Sequence, residues 1–253
     1  MRSRSRVETG PLFGIQKCYT LPLPASTLRI APFARFVSLG LICNQTIPTK
    51  TMSLLRQLFG PSKQEIWQKL CAEIGGTYIG GFWGGDKVQV SHEQWTITLD
   101  TYVVSTGKST ITYTRLRAPY VNPDGFRFTI YRRGFFSDIA KWFGMQDVEI
   151  GHENFDRDFI IKGDDTAKLR ALFDSAMLRD LLEAQPQVLF AVKDSEGLFG
   201  VRFPSDTDEL CFTVLGVIKD ADRLKLLFEL FSETLDQLCR IGSAYKQAPT
   251  VKL

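Results

Sequence analysis

The sequence predicts an α+β fold: an antiparallel β meander, or more than one, packed with a short N-terminal helix, a central helical segment and a long C-terminal amphipathic helix. Three observations predict it. Residues 77–131 read as consecutive strands of period two joined by short turns, and neighbours so joined pair antiparallel, because parallel ones need long crossovers. A long stretch near the C terminus repeats apolar side chains every three or four positions. Helical and strand segments do not alternate strictly, which separates this chain from an α/β protein.

Each element has its own signal. Pro61-Ser62-Lys63-Gln64-Glu65 is a helix start in which Ser62 caps and Glu65 reaches back. Ile66, Leu70 and Ile74 follow on one face, and Gly75-Gly76 ends the helix. Glycines then punctuate a short strand around Tyr78 to Trp83. Lys87 to His92 is the next strand. Trp95, Ile97, Leu99, Thr101 and Val103 alternate with Thr96, Thr98, Asp100 and Tyr102, the pattern of a half-buried strand. Ser105 to Lys108 is a turn, and Ser109 to Arg117 alternates again. Asn122-Pro123-Asp124-Gly125 is a second turn, leading into a strand with Phe126, Phe128 and Ile130.

Phe135 to Phe143 reads as a short helix and Phe155 to Lys162 as a strand. Ala167 to Ala184 is helical, with a break expected near Asp174-Ser175, and Pro186 stops it. Gln187 to Lys193, Leu198 to Phe203 and Glu209 to Ile218 read as strands. Asp220 caps the last helix, whose stripe is Leu224, Leu227, Phe228, Phe231, Leu235 and Leu238. Gly242 ends it. The body expected from these signals runs from 62 to 245, with a division into 62–150 and 151–245 left open.

Charge divides the chain differently. The 253 residues carry a net +3, but residues 1–51 hold seven basic side chains against Glu8 alone, a net +6. The remaining 202 residues carry 24 basic and 27 acidic side chains, a net −3. A mildly acidic body gives no global field for nucleic acid, so an anionic partner would need a local patch. The longest apolar run, Phe36 to Cys43, is far below the ~20 residues that span a bilayer. Residues 1–51 lack periodicity and are expected to be a disordered or spurious extension with the true start at Met52. Their Arg- and Ser-rich, acid-poor composition also fits a transit peptide.

Chemistry-bearing motifs are few. Gly107-Lys108-Ser109-Thr110 resembles the end of a phosphate-binding loop. The position that requires the first glycine is Tyr102, however, and a strand rather than a helix follows. Five scattered cysteines form no C-x-x-C pair, which argues for a reducing compartment and against a zinc site or a disulfide framework. His152-Glu153 with Asp156, Asp158, Asp164 and Asp165 reads as a solvated strand face and a helix N-terminus, not a metal cluster. No cofactor is expected.

The best functional lead is a set of tyrosines and arginines. Tyr113, Arg115 and Arg117 share one strand face, and Arg127, Tyr131 and Arg133 share another. If the turn at 122–125 makes the two strands neighbours, they form one surface that accepts an acidic protein surface or a small anion. The competing reading pairs these arginines with Asp100, Glu149, Asp156 or Asp158 across strands.

Phe155-Asp156-Arg157-Asp158-Phe159-Ile160-Ile161-Lys162-Gly163-Asp164-Asp165, followed by Leu169, Leu172 and Leu181-Leu182, resembles a bacterial family of uncharacterised α+β domains, over residues 155–245. The resemblance implies no activity. Its bacterial character favours Met52 as the start, since a bacterial protein needs no transit peptide. The expected function is a non-catalytic, cytoplasmic binding domain with no transmembrane segment and no nucleic-acid partner. The alternative is a small-molecule pocket, or an enzyme of unrecognised type, roofed by the long helix.

Overall fold

A computed structural model describes residues 60–81, 85–105, 107–134, 146–195, 203–251 and 253. The expected helix at 135–143, the strand at 198–203, Trp83 and the N-terminal extension lie wholly or largely outside these residues.

The described elements are α1 (Lys63–Ile74), β1 (Thr77–Ile79), β2 (Lys87–His92), β3 (Trp95–Ser105), β4 (Thr110–Val121), β5 (Phe128–Arg132), β6 (Gln146–Asp147), α2 (Glu153–Asp158), β7 (Phe159–Gly163), α3 (Thr166–Phe173), α4 (Ala176–Glu183), β8 (Leu189–Lys193), β9 (Thr207–Leu215) and α5 (Ala221–Arg240). The nine described strands pair antiparallel in one sheet, ordered β1-β2-β3-β4-β9-β8-β5-β7-β6. The α+β class holds. The first four strands form the meander that alternation predicts, and strands from both halves of the body interleave beyond it.

Helix termini follow their local chemistry. At α1 the Ser62 hydroxyl accepts from Glu65 N while Glu65 reaches back to Ser62 N, and Gly75 closes the helix at φ 68°. The Asp165 carboxylate caps α3 through Lys168 N. The central helical segment breaks where expected: Ser175 caps α4 by accepting from Leu178 N, and its hydroxyl donates to Glu233 of α5 at 2.7 Å. Asp220 starts α5 by accepting from the N–H groups of Asp222 and Arg223.

Helices cover one face of the sheet. Val88, Ile97, Leu99, Leu116, Tyr120, Phe128, Ile130, Phe190 and Phe212 point into that layer and meet Trp67, Leu70, Phe173, Leu227 and Phe231. Aromatic rings interlock across it, Phe190 with Phe231 at 5.4 Å and Phe128 with Phe173 at 6.0 Å. Edge-on geometries of this kind add to plain burial.

Two expectations need correction. Residues 155–158 belong to the helix α2, and the strand begins only at Phe159. The cause is Asp156, whose carboxylate accepts from the N–H groups of Ile150, Gly151 and His152 at 2.9–3.1 Å and so holds a turn into the helix. A short polar side chain has satisfied the backbone locally, in place of a strand ladder. Asp156 and Asp158 therefore do not share a strand face.

The second correction concerns the turn at 122–125. It does not make a hairpin: β4 pairs with β3 and β9, while β5 pairs with β7 and β8. Asn122 donates from its amide to Asp208 at 2.6 Å and from its backbone N to the Asp206 carbonyl, and Arg127 forks onto Asp208. These bonds tie the turn to the start of β9, so the chain crosses to the far side of β8 before forming β5.

β4 also changes neighbours along its length. Its ladder with β3 ends at Thr98↔Arg117, two residues before Pro119, which has no N–H to donate. Beyond that point β4 keeps β9 on one side, and the C-terminal segment takes up Val121 through Tyr245 N at 3.1 Å.

Candidate functional site

Register fixes what the face of the sheet opposite the described helices displays. Tyr102 opposes Tyr113, Asp100 opposes Arg115, and Thr98 opposes Arg117. On the next strand Leu215 lies beside Tyr113, Thr213 beside Arg115 and Cys211 beside Arg117. Side chains at these positions share a face because strand residues alternate. Tyr113, Arg115 and Arg117 thus lie together, as their spacing predicts.

Arg115 and Arg117 both hold Asp100. Arg115 donates from Nε to Oδ1 at 2.9 Å and from Nη2 to Oδ2 at 3.0 Å, and Arg117 Nη2 reaches Oδ2 at 2.8 Å. Glu209 stands 3.7 Å from Arg117 on the other side. Burial pushes the Asp100 carboxyl up, but the Arg115 hydrogen bond and the charges of both arginines more than offset it, so the group sits below the usual carboxylate range. Arg115 is raised in turn by its bond to Asp100, against the opposite pull of burial. Pairing with Asp100, one of the two alternatives for these arginines, is the arrangement found.

Above this knot the face becomes aromatic and aliphatic. Tyr102 and Tyr113 stack at 5.2 Å with 15° between their planes, and the Arg115 guanidinium lies 4.9 Å from the Tyr102 ring centre. Towards the β3–β4 turn, Val104 opposes Ile111 on the same face. Val104 is 40% exposed and Leu215 58%. Exposed apolar side chains that occur singly are ordinary, whereas a contiguous group rimmed by charge marks an interaction site.

The other three predicted residues lie elsewhere, because β9 and β8 intervene between β4 and β5. Arg127 is engaged by Asp208 and by Asp194 at 3.0 Å. Tyr131 is buried, and burial pushes its hydroxyl up. Arg133 is exposed and donates to the backbone carbonyls of Arg157 and Asp156. It borders a cleft of about 440 Å³ that Asp147, Glu149, Asp156 and Arg170 also line. Three acids against two arginines give that cleft no one-signed field.

Family models, curated proteins and solved structures were compared with the chain, and none matches it. Its own side chains must therefore speak for its function.

Cysteine chemistry finds no support among the described residues. Cys71 and Cys211 are buried, Cys239 is half-buried, and burial raises all three thiols above their ordinary value. A raised thiol is protonated at neutral pH and a poor nucleophile. His92 is engaged with Asp236 at 3.1 Å. Among the described residues no group of three or more His, Cys, Asp or Glu side chains is placed to hold a metal ion. Lys108 sits in the β3–β4 turn, and Thr110 opens a strand, not the helix that a phosphate-binding loop requires. No helix among the described residues is long and apolar enough to cross a membrane.

Sequence reading missed Tyr102, Val104, Ile111 and Leu215 as members of the site. Alternation already placed Tyr102 on the polar face of β3. Leu215 could be found only through the pairing of β4 with β9, a long-range fact.

Proposed function

We propose that the protein is a non-catalytic binding module, and that the β3–β4 hairpin end of the sheet face opposite the described helices takes an acidic protein segment bearing apolar side chains. One observation carries the reading: exposed Val104 and Leu215 adjoin half-buried Tyr102, Ile111 and Tyr113 in one contiguous group, with a guanidinium stacked at its edge. Aromatic and Arg side chains are the residues that most often anchor interfaces.

The sign of the partner's charge follows from depth. On this face Asp100 and Glu209 are only 7% and 3% exposed at their side chains, whereas Arg115 is 21% exposed. Lys108 at the hairpin turn is exposed as well. An approaching chain meets cations first, so carboxylates are favoured and lysines repelled. A small free anion is less well served, since two of Arg115's donors are already committed to Asp100. The layer where a pocket beneath the long helix would lie is filled by Phe128, Phe173, Phe190 and Phe231, which favours the binding module over the pocket reading.

Selection from a displayed peptide library tests the proposal. Recovered peptides should combine Asp or Glu with Leu, Phe or Ile, and Leu215→Ser or Tyr102→Ser should weaken them about tenfold or more. Peptides without acidic bias, or equal binding by the variants, would overturn it.

A further inference from the structure

A second site, unrelated to the hairpin face, lies where α5 begins. Gln185 follows α4 and is fully buried. Two arginines hold it. Arg223, in the first turn of α5, donates from Nε to Gln185 Oε1 at 3.1 Å. Arg132, at the end of β5, donates from Nη2 to the carbonyls of Gln185 and Glu183 at 3.1 and 2.9 Å, with its guanidinium 4.6 Å from the Phe159 ring centre.

Donors outnumber acceptors here. Gln185 Nε2, Arg223 Nη2 and Arg132 Nε are all buried from solvent and have no hydrogen-bond partner. Buried donors are almost always satisfied, and leaving one unmade is costly. Neither guanidinium is bonded to a carboxylate: their acceptors are backbone carbonyls and an amide oxygen. Burial pushes the Arg223 guanidinium down, with the charge of Asp220 as the opposing influence. The N-terminus of α5 lies in the same place, but its first amides are already capped by Asp220.

Three orphan donors and two cations lack one thing in common, a directly bonded acceptor that carries negative charge; Asp220 and Asp158 act on Arg223 and Arg132 only through their charge. We infer that Gln185, Arg223 and Arg132 form a binding site for an oxyanion, the carboxylate or phosphate group of a small ligand. Both arginines are half-buried as whole residues, so the site lies close beneath the surface. The planar guanidinium groups take its oxygens in pairs, and the Gln185 amide supplies the neutral donor at the floor. A water molecule in the same place would satisfy hydrogen bonds but bring no bonded counter-charge to the guanidinium groups.

The test is thermal unfolding of the full chain at pH 7, with inorganic phosphate or acetate exchanged for chloride at constant ionic strength. A ligand that binds only the folded state stabilises it by mass action, so the melting temperature should climb by about 3–5 °C per tenfold increase above the Kd. The anion that gives the larger rise identifies the oxyanion. Arg223→Gln should flatten the response and Arg170→Gln, on α3, should preserve it. Gln185→Glu places a carboxylate between the arginines. It should melt above the parent chain in chloride and lose the response to added anion. No rise with either anion, or a rise undiminished in both Arg223→Gln and Gln185→Glu, would overturn the assignment.

Discussion

Asp100→Asn probes the knot beneath the proposed interface. The substitution keeps the shape of the side chain and removes its charge. If the amide nitrogen takes the place of Oδ2, it faces Nη2 of Arg115 and of Arg117, at 3.0 and 2.8 Å. If it takes the place of Oδ1, it faces Arg115 Nε at 2.9 Å. Donor meets donor either way. At least one charge-assisted bond worth about 1.5–3 kcal/mol is lost, and two guanidinium groups lose their shared counter-charge. Removing one partner of a buried pair costs about 3–5 kcal/mol. Arg115 reaches solvent and Arg117 keeps Glu209 at 3.7 Å, so the expected cost is somewhat lower, about 2–4 kcal/mol. Urea unfolding at pH 7, followed by the fluorescence of buried Trp67 and Trp95, measures it.

The pH dependence of that cost adds a second readout. The folded carboxyl of Asp100 is held below the ordinary value, which is about 3.9 in an unfolded chain. Its contribution is therefore complete above about pH 4 and is lost as pH falls through the lower folded value. The gap between parent and variant should close in acid. Equal stability at pH 7, or a gap that persists unchanged below pH 3, would refute the reasoning.

Two further outcomes test the core. Phe231→Ala should cost about 3–5 kcal/mol, because the ring is fully buried against Phe190, while exposed Glu229→Ala on the same helix should stay within about 0.5 kcal/mol; denaturant melts compare them. Gly163→Ala should cost about 1–3 kcal/mol in the same assay, since the new methyl would meet Leu169 Cδ1 at 2.7 Å and the Arg127 carbonyl at 3.1 Å.

Local signals predicted local structure well. The Ser62–Glu65 box, the break at Asp174-Ser175, the Asp220 cap and the stripe of α5 all act over three or four residues, and each stands where its signal places it. The same stripe showed less about its polar face. Glu233 falls outside the apolar stripe, yet it accepts from Ser175 and Gln237 and fastens α5 to α4.

Partnership between distant strands was not legible. Nothing near Asn122 foretells that its amide will find Asp208, 86 residues later, and that bond decides whether β5 lies beside β4 or three strands away. The single Tyr/Arg surface depends on the turn at 122–125 closing a hairpin, and because it does not, the two halves of the set lie apart. Asp156 misled for the opposite reason: three backbone bonds within six residues turned a strand-like pattern into a helix. The orphan donors around Gln185 were invisible because they belong to three elements that meet only in the fold.

The most direct test of the proposed function is a map of amide and methyl NMR shifts, taken with and without the tightest acidic–apolar peptide from the selection. The largest changes should fall at Tyr102, Val104, Ile111, Tyr113, Arg115 and Leu215, with the helix groove around Ile74, Met177 and Phe228 unmoved. Changes centred on that groove, or spread over the molecule with none at the hairpin end of the sheet, would contradict the account.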